Sequence, residues 1–374
     1  MPLLASYRAD LDRLAAADRR RDLQPRAGMD FSSNDYLALA ASPALVEAAQ
    51  AAIARGVPVG SGGSRLLRGN HPEHEALEAE AAARFGAEAA LFFATGYAAN
   101  VALLSTLPQT GDRIFHDALI HASAHDGMRL ARCDTRSVPH NDPDAVADAI
   151  TTWRREGGTG RPWIVVESLY SMDGDRAPIA ALADIADRHH AFLVIDEAHA
   201  TGVFGARGTG LSEAIEGRDN VLTLHTFGKA LGCEGAIVCL PRVLADFLIN
   251  RGRGFIFSTA PSPLMAAIAR DSLRLACDDP APRTRLATLV TYAQNRLARH
   301  GVAPTGSQIL PLILGDDATT MRAAAALQAR GLDVRGIRPP TVPAGTARLR
   351  ISITLNADEA AIDRLYAALA EALA

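Results

Sequence analysis

The chain has 374 residues, 48% of them hydrophobic, and a formal net charge of -4. That supports a sizeable core in one large or two ordinary domains and excludes the basic footprint of a nucleic-acid binder. No apolar run reaches the length of a membrane span, residues 1–21 lack the apolar stretch of a secretory signal, and the four cysteines (Cys133, Cys233, Cys239, Cys277) show no CxxC or metal spacing. The composition fits a soluble cytoplasmic enzyme with reduced core thiols.

The first predicted element is a helix over residues 1–22, with Leu3, Tyr7, Leu11 and Leu14 at helical spacing. It ends in Arg19-Arg20-Arg21, either a solvated basic helix end or an arm offering Arg21 to an anion. Phe31 to Leu37 is a polar turn containing Asn34, and Ser42-Pro43 caps and opens a helix. Gly60 to Arg65 is glycine-dense, with Gly69-Asn70-His71-Pro72 close behind. Neither stretch has Walker or Rossmann spacing, so the glycines suggest close approach of a ligand or a second subunit. Pro72 to Phe85 reads as an amphipathic helix.

Ala90 to Phe93 is a short buried strand running into Thr95-Gly96-Tyr97, which opens a helix whose unpaired N–H groups suit a phosphate. Asp112 to Phe115 is another strand, and His121 either starts a helix or lays its ring on a flat cofactor. Trp163 to Glu167, Phe192 to Ile195 and Val221 to Leu224 are apolar runs with helical segments between them, Ile179 to His190 among these. Such a pattern implies an α/β fold with a parallel sheet buried on both faces, and ligands gather at the carboxyl ends of its strands. Ser171, Asp196, His199, Thr226 and Lys229 all fall there. Ala236 to Leu240 reads as an antiparallel return. After about residue 276 the order becomes helix (284–300), strand (310–314), helix (319–330), strand (348–354) and helix (357–373), an α+β layer carrying Arg338 and Arg350. No GxSxG elbow is present, and His71, His74, His189 and His190 lack ligand-spaced partners, so they read as helix-surface residues and no metal site is expected.

Lys229 can be a surface loop residue or a lysine kept from water by its glycine and apolar neighbours. In the second case burial disfavours the ammonium, and a free amine condenses with a carbonyl cofactor such as pyridoxal phosphate (PLP). Asp196 then suits the pyridinium nitrogen, and His199 can reach the phenolic oxygen or support Asp196. Thr226 and the N–H groups of Gly96 and Tyr97 suit the phosphate.

FSSNDYL, GSGGSRLLRGNHPEHEALE, FFATGYAAN, HASAHDG, SMDGD, DEAHATGVFG, TFGKALG and RPPTVPAGTARLR occur in this order. Together they resemble the α-oxoamine synthases, fold-type I PLP enzymes that join an amino acid to an acyl thioester with loss of carbon dioxide. The resemblance runs from Asp30 onward. It implies a fold-type I PLP-dependent transferase with a mostly parallel seven-stranded sheet flanked by helices (39–275), a smaller α+β C-terminal domain (276–374) and an N-terminal helical arm (1–38). The tract Ile337 to Pro343 is most similar to the biotin-synthesis branch, which implies L-alanine and a pimeloyl thioester on acyl carrier protein or coenzyme A. The resemblance makes Lys229 the lysine that carries PLP and Asp196 the pyridinium partner, stacks His121 on the ring, and puts Ser171 and His199 by the ring oxygen. Gly96, Tyr97 (often Phe in relatives) and Thr226 go to the phosphate, with Thr259 reaching it from the second subunit of a homodimer. Arg350 matches the arginine for the amino-acid carboxylate, while Arg21, Asn34, Arg338 and Thr341 are further substrate candidates. The segment between Arg21 and Phe31 is shorter than in several relatives, and His225 and Cys233 match no assigned role. A sister enzyme using glycine or serine is one alternative. A non-catalytic partner subunit of the same fold is another, against which Lys229, Asp196 and His199 argue. No nucleic-acid or membrane partner is expected.

Overall fold

The computed structural model describes residues 3–373, and the chain forms two compact units. The larger comprises Leu37–Ser171 and Arg176–Arg283; the smaller comprises Met1–Tyr36, Met172–Asp175 and Thr284–Ala374.

The larger unit is built on a seven-stranded sheet. Its order is Ala89–Phe93, Ala236–Leu240, Val221–Thr226, Phe192–Asp196, Pro162–Glu167, Arg113–Asp117, Asp134–Val138. Only Ala236–Leu240 runs antiparallel to its neighbours, so the sheet is mostly parallel. Side chains alternate across it, and both faces are buried, as a parallel sheet under helices requires. Trp163, Val165, Val194, Leu222 and Leu224 pack into one core with Leu103, Leu104 and Met128. Ile164, Val166, Leu193 and Ile195 pack into the other with Ile150, Trp153, Leu182 and Ile185. Both faces are mostly apolar, and the polar groups that matter below stand at the strand ends. Asp117, Glu167, Asp196 and Thr226 each close a parallel strand, and Glu167 lies in register with Asp196. The fold is thus the expected fold-type I α/β arrangement.

The smaller unit holds a three-stranded antiparallel sheet, Arg335–Ile337, Ala347–Ser352 and Ile309–Gly315, with helices Asp317–Ala329 and Glu359–Ala372. Met29–Asp30 adds a parallel pairing with Leu332–Asp333. There Gly28, at φ +82°, comes so close that a Cβ would meet the Gly331 carbonyl oxygen at 2.5 Å.

Several elements differ from expectation. The first helix covers Ala5–Ala16, and Asp18 at φ 54° takes the chain out of helical geometry, so Arg19 to Arg21 lie beyond it. Met1 and Pro2, where that helix was expected to begin, lie outside the described residues. Asp134–Val138 is an edge strand whose first four side chains are exposed, and it therefore has no apolar pattern. No described helix is long and apolar enough to cross a membrane.

Candidate active site

Lys229 follows the strand Val221–Thr226 in a loop closed by backbone hydrogen bonds. Phe227 N–H donates to Gly235 (2.9 Å), Cys233 N–H to Phe227 (2.8 Å) and Gly232 N–H to Lys229 (2.8 Å). Gly232 sits at φ +61°, where a Cβ would meet the Ala40 backbone nitrogen at 2.3 Å, so only glycine fits this turn. The loop brings Lys229 Nζ to hydrogen-bonding distance, 2.6 Å, of His199 Nε2.

His199 is held by the turn after Phe192–Asp196. The buried Glu197 carboxylate accepts Ser168 Oγ–H (2.7 Å), Leu211 N–H (3.1 Å) and Ser212 N–H (2.6 Å). Its backbone carbonyl accepts the N–H groups of Ala200 and Thr201. Burial raises the Glu197 pKa, while His225 and these donors oppose it.

Asp196 sits beside this turn with both carboxylate oxygens engaged: Oδ1 accepts Ala198 N–H (2.9 Å) and Oδ2 accepts Asn100 Nδ2–H (2.8 Å). The same Asn100 nitrogen donates to Ser123 Oγ (3.0 Å), and Ser123 Oγ lies 2.8 Å from His121 Nδ1. Burial lowers the His121 pKa and the Lys229 charge adds to this, against the pull of Asp196. Asp196 and His121, predicted separately, are therefore joined through two residues that sequence reasoning passed over. Glu167 was also missed. It is fully buried, its Oε2 accepts Ser171 N–H (3.1 Å), and burial, helped by Asp196 repulsion, pushes its carboxyl up to about 8.

Gly96 opens the helix Gly96–Thr106 behind its cap, Thr95, whose Oγ accepts Ala98 N–H (3.0 Å). A Cβ on Gly96 would stand 3.6 Å from Leu224 and 3.9 Å from Thr226, so the helix start and the strand end are neighbours. Thr226 Oγ1 donates to the Gly235 carbonyl (3.2 Å) and accepts Gly228 N–H (3.3 Å). The Tyr97 hydroxyl turns instead to Asp126, and both Tyr97 and Thr259 are exposed.

The remaining substrate candidates fall in the smaller unit. Buried Arg350 donates to Ser352 Oγ (2.8 Å), Asn34 Oδ1 (3.1 Å) and Tyr36 OH (3.4 Å), all uncharged acceptors. Arg21 Nη2 donates to Thr341 Oγ1 (3.4 Å), and Arg338 Nη2 to the Arg20 carbonyl (2.8 Å). Burial, reinforced by the Arg21 charge, lowers the Arg338 pKa, and Arg338 Nε is buried without a hydrogen-bond partner.

Two histidine expectations change. His74 is buried, not on a helix surface. His71 and His74 form a reciprocal cap in which His71 Nδ1 accepts Glu73 N–H and His74 Nδ1 accepts His71 N–H. His225, previously without a role, is a core residue stacked on Phe85 at 3.7 Å, bonded to Thr201 and Thr223, and 2.8 Å from Glu216.

The donor set at the strand ends fits PLP. It offers a primary amine, a carboxylate whose two oxygens both accept, a histidine beside it, and a helix start whose first N–H groups have no intrahelical partner.

Residues 26–369 match the family model "Aminotransferase class I and II". An 8-amino-7-oxononanoate synthase from Anaeromyxobacter dehalogenans is 43% identical over 98% of this chain and 94% of its own length. Among solved structures, one titled as SPT with the PLP internal aldimine superposes with a TM-score of 0.90 at 27% identity, covering 100% of this chain and 98% of that one. The 8-amino-7-oxononanoate synthase of Francisella tularensis does so at 0.78 and 27% identity, covering 92% and 97%. Strand-end amine, carboxylate and matched length together place this chain in the aminotransferase class I and II family and, within it, among the 8-amino-7-oxononanoate synthases, PLP-dependent acyltransferases of the α-oxoamine synthase group.

Proposed function

We propose that this chain condenses L-alanine with a pimeloyl thioester, on acyl carrier protein or coenzyme A, to give 8-amino-7-oxononanoate, carbon dioxide and the free thiol. The observation that carries the proposal is Lys229 Nζ at 2.6 Å from His199, past the strand next to the one Asp196 closes, in a chain 43% identical to synthases of that name. PLP is the cofactor, and when bound it draws electrons from the α-carbon of the amino acid. Lys229 binds it, then takes the alanine Cα proton on Nζ and returns a proton to the product. Asp196 accepts the ring N–H, His121 lies against the ring face, and His199 and Ser171 bond the ring oxygen. Gly96, Tyr97 and Thr226 would hold the phosphate, at the helix start and the neighbouring strand end. Thr259 reaches the phosphate of the second subunit in a homodimer.

Arg350 takes the amino-acid carboxylate, to which its guanidinium can offer two parallel N–H donors. Asn34 orients Arg350. Arg21, Arg338 and Thr341 take the distal carboxylate of the pimeloyl group; Arg21 donates to Thr341, which brings these side chains together. The domain division 1–38, 39–275 and 276–374 is proposed on the same resemblance.

The test is mass spectrometry of products from pimeloyl thioester with L-alanine, glycine or serine. An alanine adduct lighter by carbon dioxide is expected. A serine adduct would favour a second reading, suggested by the 0.90 TM-score to a structure titled SPT; a related one is titled serine palmitoyltransferase. The higher identity to the synthases favours alanine.

A further inference from the structure

We propose that Asn100 is a positioning residue which, with Ser123, locks Asp196 and His121 into one hydrogen-bond chain of fixed direction. The inference rests on the proposed PLP site.

Asn100 stands in the fifth position of the helix Gly96–Thr106, among Ala99, Val101 and Ala102, and is 3% exposed. A buried amide in such surroundings is costly unless its polar atoms are paired. Its Nδ2 carries two hydrogens and meets two acceptors, Asp196 Oδ2 at 2.8 Å and Ser123 Oγ at 3.0 Å. The reverse amide orientation would set a carbonyl oxygen against the carboxylate, so the network itself fixes which atom is nitrogen.

Ser123 N–H donates to His121 Nδ1 at 3.2 Å, so that nitrogen carries no proton. Ser123 Oγ, which accepts from Asn100, therefore donates its hydrogen to the same nitrogen, 2.8 Å away. His121 Nδ1 is thus an acceptor, and the neutral ring carries its proton on Nε2. Burial and Lys229 both favour that neutral form, with Asp196 opposing. Asn100 consequently does two things. It presents Asp196 Oδ2 as an acceptor, and it ties the ring-facing histidine to the same carboxylate.

Apoprotein is titrated with PLP, following the visible band of the bound cofactor and the pH midpoint of that band, in the parent, N100D, S123A and K229A. N100D keeps the residue's size but puts a carboxyl group against a carboxylate. It should weaken PLP binding about 10- to 100-fold and move the midpoint by about one pH unit. S123A keeps the Asn100–Asp196 bond and should give the same changes, but smaller. Parental affinity and midpoint in both variants would overturn the proposal. So would weaker binding with an unmoved midpoint, because that makes Asn100 a packing residue only. If N100D does not fold, S123A decides by the same criteria. A parent chain without a Lys229-dependent band would refute the PLP site instead, a result distinct from failure of this proposal.

Discussion

The strand ends of the larger unit and the arginines of the smaller one hold polar groups by opposite means. Asp196, Glu167 and Thr226 close strands whose apolar side chains are sunk in two cores, so sheet register places them. Asp196 and Glu197 are then surrounded by donors from the same unit. Arg350 sits inside a strand and meets uncharged acceptors, and Arg338 keeps a buried Nε without a partner beside another cation. The first arrangement is fixed by sheet register; the second presents guanidinium donors. The strand ends therefore suit chemistry and the arginines suit substrate selection, and each can be broken separately.

The largest effect is expected at Lys229. Lys229→Ala should lower turnover about 10⁴-fold, measured by product formation at saturating substrates. Arg350→Ala should cost about 10²-fold in kcat/KM for alanine while PLP uptake, followed by absorbance, stays parental. Loss of PLP uptake in that variant would erase the proposed division of labour. Arg21→Ala, an exposed position, should raise the KM for the thioester about 5-fold and leave the KM for alanine alone.

The smallest effect concerns stability and pH. The Glu167 carboxyl titrates at about 8 in the fold against 4.5 ordinarily. Between those values the folded chain holds a proton that the unfolded chain has released, so this group costs stability progressively as pH rises through the window, and the cost levels off above 8. Glu167→Gln removes the titration. Its Tm relative to the parent should climb from pH 5 to pH 8 and then stay constant; a pH-independent difference would contradict the assigned environment.

The apolar strands were legible because a strand buried on both faces writes a continuous hydrophobic run. Pro72–Phe85 and Ala236–Leu240 fall where the sequence placed them. Asp134–Val138 left no such trace, because an edge strand reading DTRSV keeps its first four side chains in water and buries only Val138. At the site, Lys229, Asp196 and His199 were visible as polar residues just past apolar runs. Asn100 carried a signal that was passed over, a lone amide inside the apolar helix turn AANVALL. Ser123 carried none, since a serine just after a helix start is ordinary. Its importance lies in a contact with a residue 23 positions earlier.

The paired cap at the start of Pro72–Phe85 has a consequence for the segment that carries Thr259. His74 Nε2–H donates to the Pro261 carbonyl (2.8 Å), while Nδ1 accepts His71 N–H. A single neutral tautomer satisfies both bonds. Burial, with the nearby Arg65, holds this ring's pKa down at about 4. The glycine-dense loop grips the same segment, through Ala260 N–H to Gly63 and Ser61 Oγ–H to Ala260, both at 2.9 Å. Residues 260–262 are thus moored by a fastening that ignores acidity from pH 5 upward, while the Lys229 neighbourhood, with Glu167 near 8, does not. Activity changes between pH 6 and 9 should therefore originate at the strand ends, with this mooring as an inert frame.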